Sequence, residues 1–298
     1  MVGPKKKKEQ AGLAQRASGP LSKPIPALTV GGLERALLKE FPAADAEEWD
    51  RTGMTVGDPA RMVKRVAVAL DATVQAVEDA ADRGANVLVT HHPAYLKAPE
   101  SFSPASSVAA NPGALVWAAI SRGVSLLSYH TALDVSTNAQ RVLPGILNLQ
   151  FKSVVSPIAS TKRKGYGQLC TVKASDGSLT LGQLAARCTS VFGRQPRVWG
   201  DFSRELERIV TCTGAVGDEA EIALRDQVDC LVCGEMKYHE ALALSQAGMA
   251  VVELGHDTSE LPLAAVLAAA VEGAGVPGDL IVVLDQGENW SYPETTRV

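Results

Sequence analysis

Apolar and polar positions along this chain fall into blocks whose period switches repeatedly between that of a helix and that of a strand. Ordered patterning starts at Leu28, and residues 30–40 carry apolar positions at helical spacing until Pro42 stops them. Residues 66–70 form a short apolar run of strand length, and 73–82 return to helical spacing before Gly84. A strand over 86–90, a helix over 114–121 and a strand over 124–128 complete the pattern of a first half, residues 28–150. The same grammar returns from Arg208, with strands at 208–212, 229–233 and 250–254 and helices at 218–227, 237–246 and 259–272. Strands alternating with helices of about ten residues indicate parallel sheets covered on both faces. The fold class expected is α/β, with two related halves and mainly parallel sheets, the second half spanning 208–298. Residues 151–207, with Pro157 and a Lys162-Arg163-Lys164-Gly165-Tyr166-Gly167 cluster, break the rhythm and read as a connector or insertion.

Composition narrows the classes. The chain has 298 residues, 46% apolar, enough for one large or two modest domains with real cores. The longest apolar stretch, 261–271, falls well short of the roughly 20 residues of a membrane helix. A net charge of −4 argues against a dedicated nucleic-acid binder, which would carry a basic stripe. Residues 1–27 read as a disordered basic tail containing Lys5, Lys6, Lys7 and Lys8, a solvated terminus or a nuclear-import patch. The five cysteines and the lack of an apolar signal segment favour a reducing compartment. The location expected is therefore cytoplasmic, with a nuclear pool if the tail is read by an importer.

The five histidines carry the chemistry. In an open parallel sheet, ligands gather beyond the carboxyl ends of the strands, where the loops converge. His91 and His92 directly follow the strand ending at Thr90; His130 lies two residues past Ser128, His239 six past Cys233, and His256 two past Leu254. Asp134 and Glu260 each follow a histidine by four residues, a spacing that shares one helical face. Imidazole with carboxylate suits Zn²⁺, Mn²⁺ or Fe²⁺. Adjacent side chains in extended backbone point apart, so His91 and His92 favour two metals with one histidine each. Each residue taken singly has a plainer reading: His239 as a structural histidine near a helix start, Asp134 as a surface or capping residue, and Glu260 as the partner of Asp257 in a capping box.

Three further signals are weaker. Cys230 and Cys233, three apart in an apolar strand, would face opposite sides and read as buried structural cysteines. Residues 213–217 end a strand and open a helix, which allows either a phosphate at the helix N-terminus or an ordinary tight turn. Lys162, Arg163 and Lys164 could meet an anionic substrate or sit on a solvated hairpin. No Walker loop, nucleophile elbow or dinucleotide fingerprint is present.

An ordered series of motifs resembles the NIF-three-like family, whose members are often labelled GTP cyclohydrolase I type 2 homologues. The series runs Trp49-Asp50, Gly53-Met54-Thr55-Val56-Gly57, Leu70-Asp71-Ala72, Thr90-His91-His92-Pro93, His130-Thr131-Ala132-Leu133-Asp134, Gly234-Glu235-Met236-Lys237-Tyr238-His239 and Gly255-His256-Asp257-Thr258-Ser259-Glu260. The resemblance implies two divalent metals between the halves, ligands at His91, His92, Asp134, His256 and Glu260, His130 lining the same site, and a ring-shaped hexamer built from dimers. Arg51 stands where the family usually has Asn, and the chain lacks the large middle domain of some bacterial members.

Two functions follow as expectations. The first is a metal-dependent hydrolase acting on a nucleotide or another small phosphorylated compound, with His130, His239 or Glu235 moving protons. The second is a non-catalytic protein that handles metal or docks onto protein partners such as transcription factors.

Overall fold

Parallel strands at the centre, with antiparallel strands at all margins but one, build two sheets. The computed structural model describes residues 28–106, 111, 113–174, 177–287 and 289–291; the lysine run at 5–8 and the rest of the tail lie outside them. The first sheet contains β1 (Gly53–Val56), β2 (Val66–Ala69), β3 (Val87–Thr90), β4 (Ser125–Ser128) and β13 (Ile281–Val283) in the order β1-β4-β3-β2-β13. All its pairings are parallel except that of β1 with β4. The second contains β5 (Leu149–Pro157), β6 (Gly165–Val172), β8 (Arg197–Trp199), β10 (Arg208–Ala215), β11 (Cys230–Glu235) and β12 (Ala250–Glu253) in the order β5-β6-β10-β11-β12-β8. Its centre, β10-β11-β12, is parallel, and the flanking strands are antiparallel. A separate ladder joins β7 (Leu179–Thr180) to β9 (Glu205–Leu206).

Helices cover both faces of each sheet, and the strand period of two assigns the side chains. Val66, Val68, Val87, Val89 and Leu127 pack with α1 (Val30–Glu40) and α10 (Leu263–Gly273), whereas Ala67, Ala69, Leu88 and Leu126 pack with α2 (Val74–Asp82) and α3 (Gly113–Arg122). In the second sheet, Ile209, Cys230, Val232 and Val252 meet α6 (Leu181–Phe192); Val210, Leu231, Cys233 and Val251 meet α7 (Glu219–Arg225) and α8 (Tyr238–Gln246). Cys230 and Cys233 are therefore on opposite faces, as their spacing requires, and burial pushes both thiols up. Local signals start three of the helices. Thr29 and Thr73 accept hydrogen bonds from the backbone amides of Gly32 and Ala76, and Thr180 with Gln183 forms a reciprocal capping box.

The structure corrects three boundaries. Residues 151–207 are no connector: β5, β6 and β8 extend the second sheet, and α6 covers one of its faces. The margin strands β5 and β8 are mostly exposed or half-buried and lack the continuous apolar run of a central strand, so their pattern is fainter. The second half does not keep residues 208–298 to itself. α10 packs on the first sheet and β13 pairs with β2, closing an edge whose amides and carbonyls would otherwise lack partners. The single helix expected over 259–272 is two, α9 (His256–Glu260) and α10, separated at Leu261 and Pro262. The first half adds two short helices, α4 (Thr131–Asp134) and α5 (Val142–Ile146). Among the described residues no helix is long and apolar enough to cross a membrane.

Candidate metal centre

The carboxyl ends of three parallel strands deliver the site. Past β3, the ladder continues through His91 N–H to Ala69 O at 3.3 Å and His92 N–H to Leu70 O at 2.9 Å, while the Thr90 hydroxyl donates to His92 O at 2.7 Å. Past β4, His130 precedes α4, which ends at Asp134. Past β12, Gly255 turns the chain with φ of 103° into α9, whose first and last residues are His256 and Glu260. The first half thus supplies His91, His92, His130 and Asp134, and the second supplies His256 and Glu260.

Close approach of two loops seats Glu260. Gly214, with φ of 59°, lies so near that a methyl group there would overlap Glu260 Oε1; one on Gly234 would overlap Ser259 Oγ and the Gly214 backbone. Ser259 Oγ accepts from Gly214 N–H at 2.9 Å and donates to His256 O at 2.8 Å, tying α9 to the end of β10.

The two oxygens of Glu260 face different histidines. Oε1 lies 3.6 Å from His91 Nε2; Oε2 lies 3.0 Å from His92 Nε2 and 3.1 Å from His256 Nε2. Asp134 Oδ1 is 3.6 Å from His91 Nε2. His91 is fully buried, and both its ring nitrogens, Asp134 Oδ1 and Glu260 Oε2 make no hydrogen bond of good geometry. Buried polar atoms are nearly always partnered. Here they converge instead, in three overlapping groups of ligand atoms within 4.8 Å: His91, His92 and His130; His92, His256 and Glu260; His91, Asp134 and Glu260. This donor set fits a divalent ion.

Three carboxylates hold the outer nitrogens of the histidines. Asp71 Oδ1 lies 2.7 Å from His92 Nδ1, Asp50 Oδ1 3.1 Å from His130 Nδ1, and Glu235 Oε1 3.0 Å from His256 Nδ1. An ionised carboxylate only accepts, so each Nδ1 carries the proton and each Nε2 is left to the centre. Asp50 also accepts from the backbone amide and hydroxyl of Thr131. Burial opposes ionisation of Asp50, but these bonds hold its carboxyl well below the usual range. Burial likewise opposes the charge on Glu260, and His91, His256 and His92 outweigh it, keeping Glu260 ionised. Against burial, Asp71 and Glu260 push His92 up to about 10; the Glu260 and Glu235 carboxylates beside its ring nitrogens raise His256 to about 9.

The sequence-derived residues sort as follows. His91, His92, His130, Asp134, His256 and Glu260 come together. Glu260 pairs with the histidines rather than capping with Asp257, which instead meets Arg194 and Trp290. Glu235 anchors His256 from a half-exposed position. His239 is not brought to the centre: it sits on the exposed first turn of α8 with its ring against Tyr238, 5.2 Å between centres, because β11 runs on to Glu235 and the chain enters α8 at Tyr238. The tight-turn reading of 213–217 holds. The amides of Gly214, Val216 and Gly217 are taken by Ser259, Glu235 O and Glu219. The solvated reading of the basic cluster holds as well, with Lys162 and Arg163 exposed and Lys164 paired to Asp45 at 2.6 Å. Sequence reasoning assigned no role to Asp50 or Asp71. Asp71 lies two residues past β2, so the strand-end rule applied to carboxylates would have found it; Asp50 lies in a loop before a marginal strand and carries no such signal.

Fold and site together define an α/β protein of two sheets with a histidine–carboxylate centre suited to a metal ion. The chain belongs to the Duf34/NIF3 (NGG1p interacting factor 3) family, whose model matches residues 28–282. It is 27% identical over 242 residues to a Clostridium acetobutylicum protein named GTP cyclohydrolase 1 type 2 homolog, covering 80% of this chain and 88% of that one. A Streptomyces coelicolor protein of the same name is 31% identical over 232 residues, covering 74% and 78%. In fold it resembles a hypothetical protein of Staphylococcus aureus, with a TM-score of 0.79 at 21% identity over 90% of this chain and all of that one. A Bacillus cereus protein related to NIF3 gives 0.78 at 17% identity, covering 91% and 100%.

Proposed function

We propose that this protein is a divalent-metal-dependent hydrolase of a small molecule, with two ions held by His91, His92, Asp134, His256 and Glu260. The reading is carried by one observation: His91, Asp134 and Glu260 present buried, unpartnered ligand atoms to one another beside a cavity of about 730 Å³. Glu260 would serve both ions, since its oxygens face different histidines. Zn²⁺, Mn²⁺ and Fe²⁺ suit this donor set. When bound, such ions supply Lewis acidity that activates water at neutral pH. The chain's own residues do the rest. Asp71, Glu235 and Asp50 fix the tautomers of His92, His256 and His130. His130, on the cavity wall, exchanges a proton at Nε2 while Asp50 holds Nδ1. Neither feature that suggested a phosphorylated substrate offers an anion site, so a phosphate on the substrate would have to face the ions.

The test is metal analysis of the purified protein followed by a screen of nucleotides and phosphoesters with wild type and His92→Ala. Metal-dependent turnover lost in the variant is expected. Full loading without turnover on a broad panel would move the assignment to the non-catalytic metal-handling or protein-docking alternative; failure to bind divalent metal after reconstitution would overturn both. The homo-oligomer, a hexamer, belongs to the same proposal, and a light-scattering mass equal to the 31.3 kDa chain would remove it.

A further inference from the structure

The segment that follows β13 touches both halves of the centre from outside. The Leu284 amide donates to Val68 O at 2.8 Å, carrying the parallel ladder with β2 past the end of β13. Gln286 then closes the end of β2 with its side chain. It is 9% exposed; its Oε1 accepts from the Leu70 and Asp71 amides at 2.9 and 2.8 Å, and its Nε2 donates to Asp71 O at 3.0 Å. Only a carboxamide both accepts and donates in this way, since an ionised glutamate would turn a second acceptor on Asp71 O. Asn289 Nδ2 donates to Asp71 Oδ2 at 3.3 Å, leaving Oδ1 to hold His92.

Two residues of the same segment reach the second half. Gly287 O accepts from Arg194, which follows α6, and the Arg194 guanidinium lies 4.4 Å from the centre of the Trp290 ring. That guanidinium also donates to Asp257 Oδ2 at 2.6 Å and to Thr258 Oγ1 at 3.0 Å, and Trp290 Nε1 donates to Asp257 Oδ2 at 3.1 Å. Asp257 and Thr258 lie on α9, between His256 and Glu260. The side chains of Arg194 and Asp257 are each only 17% exposed, where a charge-assisted bond holds better than at an open surface. The planar, five-donor fork of arginine lets one residue serve helix, carbonyl and indole together.

The centre depends on the register of these two halves. His92 comes from the first and His256 and Glu260 from the second, and Glu260 Oε2 spans them at 3.0 and 3.1 Å. A small separation of the halves would break that span. We propose that the segment from Leu284 to Trp290 is a clasp that keeps the halves in register and so slows release of a bound divalent ion, with Arg194, Gln286, Asn289 and Trp290 as positioning residues. They act through Asp71 and α9 and are not themselves ligands. The clasp rests on the metal-binding part of the proposed function and on no reaction at the centre.

The test compares full-length Arg194→Met and Trp290→Ala with Arg204→Met. Arg204 pairs with Asp229 at 3.2 Å at the start of β11, the end of the strand away from the centre, and controls for general loss of stability. Release of Zn²⁺ to a chromogenic chelator in stopped flow should be about tenfold to a hundredfold faster in the first two variants and close to wild type in the third. Trp290→Phe, which keeps a ring for Arg194 but loses the N–H bond, should fall between. Hydrogen exchange of the metal-free protein reads the clasp without any ion: Arg194→Met, in the second half, should speed exchange of the Leu70 and Asp71 amides in the first, and Arg204→Met should not. Should Arg194→Met fail to fold, Trp290→Ala, at a position 43% exposed, carries both comparisons. Zn²⁺ release at the wild-type rate in the clasp variants, or equal acceleration in Arg204→Met, would overturn the clasp and leave the metal centre standing. A wild-type protein that holds no divalent ion would overturn the hydrolase reading; the clasp between the halves would then stand if exchange at Leu70 and Asp71 responds to Arg194→Met and fall if it does not.

Discussion

Asp71 Oδ1 sits 2.7 Å from His92 Nδ1, and the opposite ring nitrogen of His92 lies 3.0 Å from Glu260 Oε2. One imidazole thus links a carboxylate at the end of β2 to a carboxylate of α9 in the other half. Asp71 is itself held from the C-terminal segment. Gln286 Oε1 accepts from the Leu70 and Asp71 amides, and Gln286 Nε2 donates to Asp71 O.

Asp71→Asn keeps the shape but removes the charge that fixes the His92 tautomer. Outer partners of this kind are worth roughly 10- to 100-fold in metal affinity. Zn²⁺ titration of the variant should show a loss of that size with an unchanged circular dichroism spectrum; an unchanged affinity would mean that Asp71 does not orient His92.

Glu260→Gln should do more, because an amide offers one neutral oxygen where the carboxylate serves two sets of histidines. After dialysis, mass spectrometry should find at most one tightly held ion per chain against the two proposed for the wild type. Wild-type stoichiometry in the variant would remove Glu260 from the shared position.

Metal uptake should strengthen with rising pH. Without metal, His92 and His256 keep their protons to about 10 and about 9, so their ion pairs stabilise the fold fully below the unfolded histidine value and lose that effect as pH rises through 9 to 10. An ion must displace those protons. Between about pH 6 and 8 affinity should therefore climb, and calorimetry in buffers of different ionisation enthalpy should register proton release. A flat profile would contradict the histidine assignment.

Gly214→Ala and Gly84→Ala form a controlled pair. Both glycines have positive φ, 59° and 79°, but a methyl group at 84 meets nothing within 4 Å whereas one at 214 overlaps Glu260. Both variants should lose about 1–2 kcal/mol from backbone strain. Only Gly214→Ala should also lose metal, as thermal melts with and without Zn²⁺ will show.

Much of the centre was legible because strand ends announce themselves. The apolar runs before His91, His130 and His256 are buried on both faces, and a polar residue directly after such a run has few places to go but the convergent edge. His239 shows the limit of that rule. Four residues past the end of β11 the chain has already turned into α8, and the side chain is exposed. Asp50 shows the converse: its partners, His130 and Thr131, are about eighty residues away in sequence, and no local pattern connects them.

By itself the sequence determined the α/β class, the central strands and most helices, the opposed faces of Cys230 and Cys233, and the set of histidines and carboxylates worth weighing. Periodicity can do that because it records which side of an element is buried. It does not record against what. The return of α10 and β13 to the first sheet, the margin strands within 151–207, the split of Glu260 between two groups of histidines, and the carboxylate behind each of three imidazoles were decided only by tertiary structure. Each depends on the distance between segments remote in the chain, a distance set by how the two sheets pack.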